Sequence, residues 1–135
     1  MNLAALFVAA TIQFDLPPGL LSSLCFVESK HDISAIHHDD GGTDSIGVCQ
    51  VKLKTAQWLG FTGTEKELLN SKTNIFYAAK YLSKNIKRYG GQIELAVIAY
   101  NRGNAKGLLR TNYSDKIMNQ WRIENGAIKI RYLCR

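Results

Sequence analysis

The sequence predicts a mainly α (α+β) protein, one domain over residues 1–135, with a small β element near residues 42–52. Three observations carry this expectation. Apolar residues recur at helical spacing through most of the chain. One stretch, Asp32 to Val51, abandons that period for His, Asp, Gly and Thr with short β-like pieces. Finally, 135 residues with 46% hydrophobic content are enough for one core. The two prolines, Pro17 and Pro18, are adjacent, and no linker, repeat or low-complexity tract divides the chain.

Residues 2–14 and 17–30 read as two helices parted by a turn at Asp15 and the proline pair. The first is apolar like a signal h-region. It lacks a basic n-region and is too short to span a bilayer, so it reads as the first core helix. In the second, Leu20, Leu21, Leu24 and Val27 define an apolar stripe, while Ser22, Ser23 and Phe26 point elsewhere. The irregular Asp32–Val51 segment is of the kind that carries function or moves. Lys54 to Leu59 reads as a short helix closed by Gly60, and residues 65–69 as another helical turn. Lys72 to Tyr89 forms a long helix with Ile75, Ala79, Leu82, Ile86 and Tyr89 on its buried face, stopped by Gly90 and Gly91. Gln92 to Asn101 is apolar nearly all round, which places it in the centre of the core, with Gly103 as its cap. Tyr113 to Trp121 reads as a further short helix. Ile128 to Leu133 alternates weakly, as strand or coil.

Glu28 falls on the apolar stripe of its helix, between the directions of Leu21 and Leu24. A carboxylate is almost never buried without a partner. Burial raises its pKa and equips it to act as a general acid near neutral pH. The helix alone does not choose between that role and a last turn that bends the carboxylate into solvent.

The formal charge of +6 favours anionic partners such as nucleic acid, acidic lipid or the acidic polymers of a bacterial envelope. The densest basic cluster, Lys80, Lys84, Lys87 and Arg88, reads as the wet face of a helix. Without a recognition helix or an aromatic platform, nucleic-acid binding is not expected. The three cysteines, Cys25, Cys49 and Cys134, have no metal or C-x-x-C spacing. They read as small buried hydrophobes or free thiols rather than a disulfide framework, and a single bridge is not readable from spacing. His31, His37 and His38 read as part of a solvated polar loop rather than a metal site.

Four segments occur in order: Glu28-Ser29, Gly47-Val-Cys-Gln50, Ala99-Tyr-Asn-Arg-Gly103, and Thr111-Asn-Tyr113 with Lys116-Ile117. Thr73-Asn-Ile75 and Tyr81-Leu82 lie between the second and third. This series resembles the soluble lytic transglycosylases and the related goose-type lysozymes over residues 3–121. Each motif alone is weak; their order and spacing together are specific. The resemblance implies a lysozyme-like fold whose cleft binds peptidoglycan glycan strands, with no cofactor and no metal. Glu28 is then the catalytic residue, acting first as acid and then as base to leave a 1,6-anhydro sugar. The same resemblance assigns substrate contacts to Ser29, Cys49, Gln50, Tyr100, Asn101 and Tyr113. Gln50 and Asn101 have an alternative reading as loop or cap residues, and Tyr100 and Tyr113 as core residues.

Departures from the family pattern are Cys49 where Met is usual, Arg102 where a small residue is commoner, and Asp32-Ile-Ser-Ala in place of an Asn-Pro. None removes the carboxylate. Two other readings stand beside the transglycosylase. One is a hydrolytic, goose-type-like lysozyme using Asp39, Asp40 or Asp44 to position water. The other is a peptidoglycan-binding module without activity. The resemblance further implies a monomer without membrane insertion, acting in the bacterial periplasm or cell wall. The absence of a clear signal peptide points to a bacteriophage endolysin or virion component, with a bacterial envelope enzyme as the alternative.

Overall fold

The computed structural model describes residues 2–38 and 42–133, with side chains described as far as Gly126. Two helices open the chain: α1 (Leu3–Gln13) and α2 (Leu20–Ser29). A small sheet follows, made of β1 (Ile36–His38), β2 (Asp44–Ile46) and β3 (Val51–Lys52). Five more helices complete the order: α3 (Leu53–Trp58), α4 (Glu65–Leu68), α5 (Ser71–Arg88), α6 (Ile93–Arg102) and α7 (Asn112–Leu133). The sheet is antiparallel in the order β1-β2-β3, with Ile36 opposite Ile46 and Ile46 opposite Val51.

The apolar α6 forms the centre, as its sequence predicts. Ala96 to Tyr100 are all buried, and α5 and α7 pack against it. In turn α7 lies along α2, and the Trp121 Nε1–H donates to the Pro18 carbonyl at 2.8 Å. Leu20, Leu21 and Leu24 of α2 are fully buried in the shared core. Local chemistry ends these helices where the side chains demand it. Thr64 and Glu67 form a capping box on α4, Asn70 caps α5, and Gly103 ends α6 in the left-handed conformation.

The turn between β2 and β3 is held from beneath by Asn74. Its amide donates to the Ile46 and Leu68 carbonyls at 2.8 and 3.0 Å and accepts from the Cys49 N–H at 2.8 Å. Gly47 lies directly on that amide with φ +80°. A Cβ at Gly47 would stand 2.5 Å from Asn74 Nδ2, and the three bonds leave Asn74 no room to swing away. Only glycine suits both the backbone angle and the contact.

Several expectations are corrected. The last helix does not stop at Trp121 but continues to Leu133, so Ile128 to Leu133 is helical rather than strand or coil. The segment contains no proline and only one glycine after Trp121, and nothing in it breaks a helix already docked on α2. Strand β1 lies outside the β segment read near 42–52. Ser23 is buried, because its hydroxyl donates to the Gly19 carbonyl at 2.8 Å and needs no water. Cys25 and Cys49 are joined in a disulfide rather than free, and Cys134 lies outside the described residues.

Candidate active site

Glu28 is the penultimate residue of α2, partly buried where that helix runs into the wall of a cleft. The cleft encloses about 320 Å³ and includes Gln50, Lys52, Tyr81, Tyr100 and Asn101 in its lining. Among the described lining residues Glu28 is the sole carboxylate. Burial pushes its pKa from an ordinary 4.5 up to about 7, against the opposing pull of the Tyr113 hydrogen bond and of nearby His37.

Tyr113 is brought to Glu28 by the first turn of α7. Thr111 and Ser114 cap that turn reciprocally: the Ser114 N–H donates to Thr111 Oγ1 at 3.0 Å and the Thr111 N–H to Ser114 Oγ at 2.8 Å. The phenol hydroxyl then donates to Glu28 Oε2 at 2.5 Å. From the other side, the Tyr100 hydroxyl donates to the Cys49 carbonyl at 2.8 Å, and its ring packs 5.2 Å from that of Tyr81. Burial first, and the Glu28 charge second, raise the pKa of Tyr100 and Tyr113 well above the ordinary phenol value. Both therefore stay protonated and serve as donors.

Replacing Tyr113 with Phe removes the hydrogen bond that favours the charged carboxylate while keeping the ring. The Glu28 pKa is expected to rise further, by about one unit or more. Carbon NMR titration of the side-chain carboxyl measures this directly, and a midpoint that stays or falls would contradict it.

The chain turns sharply on both sides of the cleft. Lys30, His31 and Gln50 are non-glycine residues with positive φ, at 58°, 61° and 53°. Left-handed residues of this kind cost of order 1 kcal/mol each and gather at functional sites. The Lys30–His31 turn is held by the His31 ring, which sits between Phe7 and Phe26 with Nε2 bonded to the Ser22 carbonyl at 2.9 Å.

With this geometry in view, comparison with known proteins identifies the family. The sequence profile of the Transglycosylase SLT domain matches residues 5–121. The chain belongs to the SLT transglycosylase family. Two curated relatives are Protein IpgF of Shigella flexneri and of Shigella sonnei, 29% and 28% identical over 113 residues. Each alignment covers 81% of this chain and 74% of the relative. Among solved structures, an inactive mutant of the lytic transglycosylase Slt from Pseudomonas aeruginosa shares the fold, with a TM-score of 0.65 at 20% identity. That match covers 87% of this chain but only 20% of the Pseudomonas protein. The helical architecture with its three-stranded sheet is thus the lysozyme-like α+β fold.

Within this SLT domain, Glu28, Gln50, Tyr100 and Asn101 meet at one cleft, and Tyr113 bonds Glu28. Ser29 and Cys49 do not line it. The Ser29 hydroxyl donates to the Val48 carbonyl at 2.7 Å and accepts the Asp32 N–H at 3.1 Å, so it braces the loop instead of facing substrate. The Cys49 side chain is fully buried in the disulfide, and only its carbonyl takes part, as the acceptor for Tyr100. Gln50 lines the cleft with its hydrogen-bonding groups already engaged. Its Nε2 donates to the Gly47 and Ala35 carbonyls at 2.9 and 3.2 Å, and its Oε1 faces His37 Nδ1 at 2.8 Å.

Those two carbonyls fix the Gln50 amide orientation, so His37 Nδ1 must carry a proton. His37 therefore belongs to the site, although its sequence position reads only as polar loop. The strand period is the signal that places it, since in β1 His37 faces away from Ile36 and His38. Asn74 and Tyr81 were visible only as matching motif letters, without a role. Of the loop carboxylates, Asp44 is paired with His38 at 2.9 Å, and Asp39 and Asp40 lie outside the described residues.

Proposed function

We propose that this domain cleaves the β-1,4 bond between N-acetylmuramic acid and N-acetylglucosamine in peptidoglycan, leaving a 1,6-anhydromuramoyl end. The observation that carries the reading is a carboxyl poised near pH 7, alone among the described cleft residues.

Protonated Glu28 donates to the glycosidic oxygen, and the bond from that oxygen to the anomeric carbon breaks. The muramoyl 6-hydroxyl then bonds to the anomeric carbon, and its proton returns to the Glu28 carboxylate. The bridged product keeps the β-configuration, so the departing and incoming oxygens occupy the same face of the sugar. One carboxylate on that face serves both transfers. No water is consumed, and the two-carboxylate arrangement of glycoside hydrolysis is not required. Tyr113 supports the first half by stabilising the carboxylate that forms as the proton leaves, because a hydrogen bond to a charged group is worth about 1.5–3 kcal/mol.

Lys52 and Arg102 place cations at the cleft, in keeping with an anionic envelope polymer. The Cys25–Cys49 disulfide suits an oxidising compartment outside the cytosol. Either delivery route, a bacterial envelope enzyme or a bacteriophage protein, meets that condition. No helix among the described residues is long and apolar enough to cross a membrane.

Digestion of purified sacculi followed by mass analysis of the fragments tests the reaction. Muramoyl ends lighter by one water than hydrolytic ends are expected. Fragments that have all gained water would replace this reading with a hydrolase, and intact sacculi would replace it with a binding module.

A further inference from the structure

A second groove opens beside the cleft and continues it, with Thr55, Tyr81 and Gly103 lining both. It encloses about 550 Å³, and its own walls come from Lys54 and Trp58 of α3 and from Lys84, Asn85 and Arg88 of α5. The basic cluster Lys80, Lys84, Lys87 and Arg88 of α5 is thus not one uniform wet face. Lys80 turns away to donate to the Leu59 carbonyl at 2.7 Å, whereas Lys84 and Arg88 face the groove.

Three features give the groove a chemical character. Trp58 is 69% exposed, an unusual position for so large an apolar ring. The Lys84 ammonium stands over that ring, 5.0 Å from its centroid. Arg88 is held in place by donating from Nη1 to the Gly103 carbonyl at 2.9 Å. Among the described residues no carboxylate lines the groove, and Lys54, Lys84 and Arg88 make no ion pair. Unneutralised cations gathered on one concave wall repel each other and draw in an anion.

We propose that this groove is a subsite for the carboxylates of the stem peptide that hangs from the glycan strand beside the bond being cut. The proposal rests on the peptidoglycan reading above. Where a muramoyl lactyl group is tied up as an amide, the glycan itself is neutral, and the negative charge of that substrate lies in its peptide. A neutral sugar fits the groove less well, because the Lys84 ammonium covers one face of the Trp58 ring, the most exposed aromatic among its described lining residues. The peptide carboxylates would meet Lys54 and Lys84, while Arg88 and Trp58 form the floor and side.

Calorimetry with two fragments tests this. One is the disaccharide N-acetylglucosaminyl-N-acetylmuramic acid with its tetrapeptide, which lacks the scissile bond. The other is the same fragment with its peptide carboxylates converted to amides. The natural protein is expected to bind the carboxylate form roughly tenfold more tightly, with the preference shrinking as salt is added. Replacing both exposed lysines, Lys54→Glu with Lys84→Glu, should erase the preference and leave binding of the amidated form unchanged. The milder Lys54→Gln with Lys84→Gln pair should lower it part of the way. Equal binding of the two forms by the natural protein would overturn the subsite alone. A preference that survives the double replacement would overturn it too, as would an equal loss for both forms. If neither fragment binds and sacculi also stay intact, the peptidoglycan reading itself falls, and the subsite with it.

Discussion

Glu28→Gln is expected to lower the rate of cell-wall digestion by roughly 10³-fold or more, since the one carboxyl is asked to give a proton and then to accept one. Glutamine keeps the size of the side chain and can still accept the Tyr113 hydrogen bond, but it can do neither transfer. In the unmodified protein, digestion should fall as pH rises through about 7, because the acid form of Glu28 is lost there. A wall-digestion rate unchanged in the variant would rule out Glu28 as the proton donor.

The same substitution has an opposite effect on stability. Between pH 4.5 and about 7 the folded protein holds a proton on Glu28 that the unfolded chain has released. Stability therefore falls as pH rises across that window, and the full cost of burying the charge is present above it. Glutamine carries no such cost, so the variant should gain on the order of 3 kcal/mol relative to the natural protein at pH 8 and almost nothing at pH 4. Thermal melts at the two pH values separate these outcomes. Equal melting shifts at both would mean that the Glu28 carboxyl is not held in a desolvated site.

Reduction of the Cys25–Cys49 disulfide is expected to cost about 3 kcal/mol, the chain entropy released by opening a loop between residues 24 apart. For a domain of this size the melting temperature should drop by roughly 10 °C. Activity should fall as well. Cys25 lies one helical turn before Glu28, and Cys49 precedes Gln50, so the bond ties the end of α2 to the turn that shapes the cleft. Paired Cys25→Ser and Cys49→Ser substitutions should reproduce the effect of a reductant. Melting that ignores reductant would mean the bond contributes nothing to the folded state.

The limits of the sequence reading lie at particular residues. Helical periods located α1, α2, α5 and α6 to within a few residues, because each buries a repeating apolar face in a common core. The period is silent about α7 beyond Trp121, where no apolar stripe in the sequence marks the helix that continues to Leu133. The ordered motifs pointed to the family, and the profile match agrees over residues 5–121. They did not distinguish side chains that face the cleft from those that build it. Ser29 and Cys49 carry motif letters yet turn into the loop and the core, while His37, from a stretch that reads only as polar, joins Gln50.

From the residues themselves came the helical class, the core around Gln92 to Asn101 and the suspicion that Glu28 carries the chemistry. Periodicity and residue type are local properties, and they suffice for those conclusions. Only the tertiary structure decided that Glu28 is held in the wall of the cleft instead of frayed into solvent, that Tyr113 is its partner, and that Cys25 meets Cys49. A pKa near 7 and a disulfide both depend on distances between segments far apart in the chain. Those distances are set by how α2, α6 and α7 pack around the Asn74-braced turn, which no stretch of sequence records on its own.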